Sequence, residues 1–211
     1  MESDENMSAY PFRVQPGEEI ARGWSESRVY RHEPGWVLKI TYRKSRNSKE
    51  QLAENKADYE FFKSRLGEYV PETQFLIGQD EKGRRVNIVR QKEIAGRTLL
   101  SFTDEEIKEN IQLQRNLVVL FERIIKMWEE DGRIPDLVGP RKGGRSFLTK
   151  FTPGTHPEHT PNIIVEEGTS KPYLVDTSAS VRFQSKDSPF PYLKLSEMIV
   201  ANMRRFVSKY T

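Results

Sequence analysis

The 211-residue chain predicts an α+β fold in two lobes, the first built on antiparallel strands and the second mainly helical. Three features predict it. Residues 19–42 and 73–94 hold short apolar runs bounded by turn signals, and "WVLKITY" among them alternates β-branched and aromatic residues as a strand does. Residues 103–132 open on a capping box with acidic residues in the first turn, the start of the best helix in the chain. One pattern gives way to the other in "AGRTLLSF" (95–102), where a lobe boundary is expected. The expected division is a polar arm over 1–17, a first lobe over 18–94 and a reduced second lobe over 95–211.

Each element has its own reason. The arm is acidic and ends at "QPGEE". Over 19–42 a strand, the turn "HEPG" and the strand "WVLKITY" follow, the last with β-branched and aromatic residues at alternating positions. Over 48–67, Leu52, Tyr59, Phe62 and Leu66 recur at helical spacing and Gly67 supplies a stop. After "VPE", "TQFLIGQ" and "RRVNIVRQKEI" read as a hairpin around "DEKG". In the second half, Thr103 with Glu106 three residues later forms a capping box, and the acids of the first turn suit the helix dipole. A single helix over 103–132 is expected. An irregular stretch follows. "PNIIV" and "YLVDT" then read as a hairpin around a Gly-containing turn, and "PYLKLSEMIVANMRRFVSKY" as a closing helix.

Composition narrows the function classes. With no cysteine, disulfides, thiolate metal sites and Cys nucleophiles are excluded. His156 and His159 form the one close histidine pair, a zinc reading weighed against an ordinary Pro-rich loop. Lys and Arg total 34 against 31 Asp and Glu, a net charge of +3, so a nucleic-acid surface is not expected. The locally basic stretches, 42–49 and 139–145 with Arg141, Lys142 and Arg145, read as solvated loops. "LVVLF" is too short to span a bilayer and the N-terminus lacks a signal-peptide core, so a cytoplasmic protein with no membrane partner is expected.

Lys39 sits inside an apolar strand, where an ammonium is costly unless an anion pairs with it. Glu54, Asp58 and Glu60 of the following helix are candidate partners, and Glu54 and Asp58 share a face at i, i+4; the alternative is a lysine snorkelling from a strand edge. Asn162 and Asp176, fourteen residues apart at the two ends of the late hairpin, carry oxygens suited to a hard cation such as magnesium. Their alternative reading is a turn residue and a cap.

The order of "GWSESRVY", "VLKI", an acidic helix, a hairpin, a linker, a long helix, "PNIIV" and "LVDT" resembles the protein-kinase-like superfamily. It is similar to small atypical members related to aminoglycoside phosphotransferases and to short bacterial kinase-like proteins of the PhoP-regulon type. The resemblance covers about residues 19–183. It implies a two-lobe kinase-like fold and binding of ATP with magnesium. Gly23, Ser25 and Ser27 would stand in the phosphate-covering hairpin, and Lys39, fixed by Glu54 or Asp58, would meet the α- and β-phosphates. Asn162 and Asp176 would hold the metal, and the backbone of Lys92, Glu93 and Ile94 would bond the adenine.

Two departures bear on activity. The family's catalytic loop carries an Asp five residues before the metal-binding Asn, and here that position is Pro157, which accepts no proton. Glu158 replaces it, or Asp136 does if the intervening "GPRKGGRS" is an insertion that folds back, or nothing does. "DTS" stands where the family has D-F-G, and only 35 residues remain after Asp176, too few for a full kinase second lobe. The expected function is therefore an ATP- and Mg-dependent phosphotransferase acting on a small molecule or an unidentified protein. The alternative is a pseudokinase working as a nucleotide- or partner-binding regulatory module.

Overall fold

The computed structural model describes residues 9–13, 17–22, 27–42, 49–80, 82–137, 139–140, 153–154, 157–177 and 192–211. It is a mixed α+β structure with two compact units, Met1–Tyr59 with Pro71–Glu93, and Glu60–Val70 with Ile94–Thr211.

The first unit is built on a six-stranded sheet of β1 (Ala9–Arg13), β2 (Glu19–Arg22), β3 (Ser27–Arg31), β4 (Trp36–Thr41), β5 (Thr73–Gln79) and β6 (Arg85–Lys92), in the order β1-β5-β6-β4-β3-β2. All neighbours are antiparallel except β1, which joins β5 in parallel. Alternation decides which residues enter the core: Leu38 and Ile40 of β4 are buried with Tyr30, Leu76, Val86 and Ile88, while Lys39 between them faces the other way and is half-buried. The Tyr30 and Tyr42 hydroxyls lie 3.2 Å apart at the margin of this cluster.

β1 departs from expectation, because it lies within the segment read as a polar arm. Its Pro11 argues against a central strand, but an edge strand tolerates a missing N–H donor.

The helix α1 (Lys49–Leu66) begins in the first unit and ends in the second. Leu52, Phe62 and Leu66 are buried as their spacing predicts. Tyr59 packs its ring 5.6 Å from Phe75 and its hydroxyl accepts from the Thr73 amide. Gly67 ends the helix at φ 58°, a conformation that favours glycine.

In the second unit, β7 (Gly96–Thr98), β10 (Ile163–Glu166) and β11 (Pro172–Leu174) form an antiparallel sheet in the order β11-β10-β7. The single helix expected over 103–132 is two, α2 (Asp104–Glu109) and α3 (Ile111–Asp131). Asn110 divides them. Its backbone leaves the helical region and its side chain accepts from the Leu113 amide at 2.9 Å, so it starts a new helix. The Thr103–Glu106 capping box is present in full.

α3 buries the stripe Leu113, Leu117, Leu120, Phe121, Ile124, Met127 and Trp128. It packs on α4 (Tyr192–Tyr210), with the Phe121 and Phe206 rings edge to face at 5.1 Å. Two short strands, β8 (Gly139–Pro140) and β9 (Pro153–Gly154), pair antiparallel and close the excursion between them. Among the described residues, no helix is long and apolar enough to cross a membrane.

Candidate functional site

The late hairpin is pinned at both ends. At its turn, Gly168 has φ 80° and Ser170 φ 53°. The strained serine is held by α3 and its N-cap: Asn110 Nδ2 donates to its Oγ at 3.1 Å and Asn116 Nδ2 to its carbonyl at 2.9 Å. Lys171 beside it bonds Glu68 at 2.8 Å, and this contact holds the Glu68 carboxyl below its ordinary range.

At the open end, the ladder that pairs Ile163 with Leu174 extends one step, the Val175 amide donating to the Asn162 carbonyl at 3.0 Å. Asp176 therefore follows the residue bonded to Asn162. Both sequence-predicted metal ligands are brought to one mouth of the hairpin, and both are half-buried.

Asn162 is fixed by two further bonds. Its amide donates to Thr160 Oγ1 at 3.2 Å, and its side-chain Nδ2 donates to the Asp136 carbonyl at 2.8 Å. Thr160 is fully buried, and its own carbonyl accepts from the Leu100 amide at 3.1 Å. With Nδ2 committed to Asp136, the amide oxygen is the atom of Asn162 with cation-ligand chemistry.

The bond also brings the backbone of one of the two candidate bases to Asn162. Asp136 is 26 residues before Asn162, yet the chain leaves through β8 and returns through β9 to place them side by side. Glu158 is in a 3-10 turn (Pro157–His159), where Pro157 is buried, and lines a different part of the unit. That is a pocket of about 510 Å³ walled by α2, the 3-10 turn and α4, with Asp104, His159, Phe206, Lys209 and Tyr210. His159 Nε2 bonds Asp104 at 2.8 Å, and its Nδ1 is buried with no hydrogen-bond partner among the described residues. The Tyr210 phenol first, then Asp104 and Glu158, raise the pKa of Lys209.

The first-unit candidates are placed as follows. Lys39 lies between Val29 and Val89 in adjacent strands. Glu54 and Asp58 are half-buried one turn apart on α1, Glu54 accepting from Gln51 at 3.3 Å. Ser27 is 2% exposed and its hydroxyl meets that of Thr41 across the strands at 3.4 Å. Gly23 and Ser25 lie outside the described residues, as do His156, Arg141, Lys142 and Arg145.

The amides of Lys92 and Glu93 already donate, to the Glu72 carbonyl at 2.9 Å and the Gly35 carbonyl at 2.8 Å. The Glu93 carboxylate holds Arg31. Expected adenine bonds then fall to the Ile94 amide and to carbonyls. Among the described residues, no group of three or more His, Asp or Glu side chains is placed to hold a metal ion. A magnesium held by Asn162 and Asp176 alone would fit that ion's habit of keeping waters and phosphate oxygens as its remaining ligands.

Sequence reasoning missed Thr160 and Asn110. The signal for Thr160 was present in "TPN", since a Thr hydroxyl can accept from the backbone amide two residues on. The sequence matches no protein-family model and no curated protein.

Proposed function

We propose that this protein is a nucleotide-binding, magnesium-dependent phosphotransferase of the protein-kinase-like kind, with Asp136 as its base and a small molecule or an unidentified protein as acceptor. The hydrogen bond from Asn162 Nδ2 to the Asp136 carbonyl carries the reading. It supports Asp136 over Glu158 because it ties the former to the residue whose oxygen would ligate the cation.

In the proposed chemistry, the Asp136 carboxylate takes the proton of the acceptor hydroxyl as that oxygen bonds the γ-phosphorus and the bond to the β-phosphate oxygen breaks. Asn162 and Asp176 would orient magnesium, whose part is to neutralise phosphate charge. Lys39 would meet the α- and β-phosphates. ATP turnover with magnesium should fall about 10²-fold or more in Asp136→Asn, the range for loss of a positioned base, while Glu158→Gln keeps the parental rate. Equal rates in the parent and Asp136→Asn would remove Asp136 from the chemistry.

The regulatory reading is favoured by one observation, the buried Pro157 at the position where the family carries its base. Under that reading ATP raises the melting temperature but is not turned over. Without stabilisation by ATP and magnesium, and with no change in Asp176→Asn, the nucleotide site itself is lost.

A further inference from the structure

Asn162 is reached through a short, anchored segment of the second unit. Pro157–His159 make a single 3-10 turn, Thr160 enters the core directly after it, and Asn162 comes two residues later. Thr160 sets the local geometry, with its hydroxyl on the Asn162 amide and its carbonyl on the Leu100 amide. Asn162 is thereby fixed to Thr160, and Thr160 to the turn that precedes it.

His159 ties that turn to α2. Its Nε2 donates to Asp104 Oδ1 at 2.8 Å, and its side chain is 15% exposed against 79% for the carboxylate it bonds. Asp104 follows Thr103 at the start of α2, inside the capping box, so the anchor point is itself held. The imidazole is costly where it stands. Whichever charge the ring carries, Nδ1 is buried with no hydrogen-bond partner among the described residues, and an unpaired buried polar atom lowers stability. An apolar side chain would fill the space without that cost, so stability alone does not account for a histidine here.

We propose that His159 and Asp104 are a positioning pair for the cation site: their bond holds the turn and, through Thr160, keeps the Asn162 side-chain oxygen where it would meet magnesium. The inference rests on the phosphotransferase reading, and within it on Asn162 and Asp176 as metal ligands. Groups that orient a metal's ligands without touching the metal change its affinity by about 10- to 100-fold when they are removed.

Asp104 is the residue to change, because its carboxylate is exposed and its loss opens no core. Calorimetry on the full chain gives the ATP affinity of each variant twice, with excess magnesium and with EDTA. Asp104→Ala is expected to weaken binding about 10-fold with magnesium and to leave it unchanged in EDTA. Asp104→Asn keeps an oxygen for the imidazole and should hold the parental value. So should Glu105→Ala, which removes a neighbouring first-turn charge of the same sign. His159→Met should reproduce the Asp104→Ala split. The pair is overturned if Asp104→Ala matches the parent, if Asn and Ala at this position behave alike, or if the loss is equal in magnesium and EDTA, as general loosening of the unit would give. A parent whose ATP affinity does not depend on magnesium overturns the metal site itself, and the pair with it, so the two failures are told apart by the parent alone.

Discussion

Thr160 shows how much one buried hydroxyl can fix. Its Oγ1 takes the Asn162 amide, its carbonyl takes the Leu100 amide, and its side chain is wholly inaccessible, so Thr160→Val leaves the Asn162 N–H without its acceptor. A buried donor left unsatisfied costs about 1–3 kcal/mol. Chemical denaturation should show a loss of that size, and Thr160→Ser should restore most of it by keeping the oxygen. At the same scale, Glu106 offers a test by pH. Its carboxyl is held below the ordinary range first by the Thr103 amide and then by Arg97. A depressed folded pKa means that the contribution is present above the unfolded pKa of about 4.3 and is lost as pH falls through the folded value. The parent's melting temperature should therefore drop more between pH 5 and pH 3 than that of Glu106→Gln, and parallel curves would remove the capping carboxylate from the acid response.

At the scale of elements, caps decide where helices begin more firmly than periodicity does. The apolar stripe runs across residues 103–132 without a visible gap, and Asn110 breaks it because its side chain offers Leu113 an acceptor and its own backbone turns away. Asn110 also holds Ser170 in the hairpin turn, so Asn110→Ala removes a cap and a tether together. A loss of about 0.5–2 kcal/mol is expected for the cap alone, and faster amide exchange over 167–171 should report the tether. The α3–α4 contact is a different kind of stability. Phe121→Ala opens a cavity against Phe206 and should cost about 3–5 kcal/mol by denaturant titration.

At the scale of the whole molecule, thermal stabilisation by ligand is the measurement that tests the proposed nucleotide binding. If ATP with magnesium binds the native state alone, a concentration of 100 times Kd stabilises by about 2.7 kcal/mol. In a chain of this size that is a rise of roughly 5–10 °C, and chelation of magnesium should abolish most of it. The sequence by itself determined the strand-rich and helix-led halves, the alternation of β4, the helix cap at Thr103 and the late hairpin, because each follows from a local period, cap or turn residue. It also supplied Asn162 and Asp176 as a pair, because a hairpin's ends must meet. Only the tertiary structure decided that Asp136, not Glu158, is bonded to Asn162. That choice depends on a 26-residue excursion closed by two-residue strands, and so short a pairing leaves no periodic trace. The place of β1 was hidden for the same reason. An edge strand with a proline is defined by the neighbour it lies on, and that neighbour, β5, is more than sixty residues away in the chain.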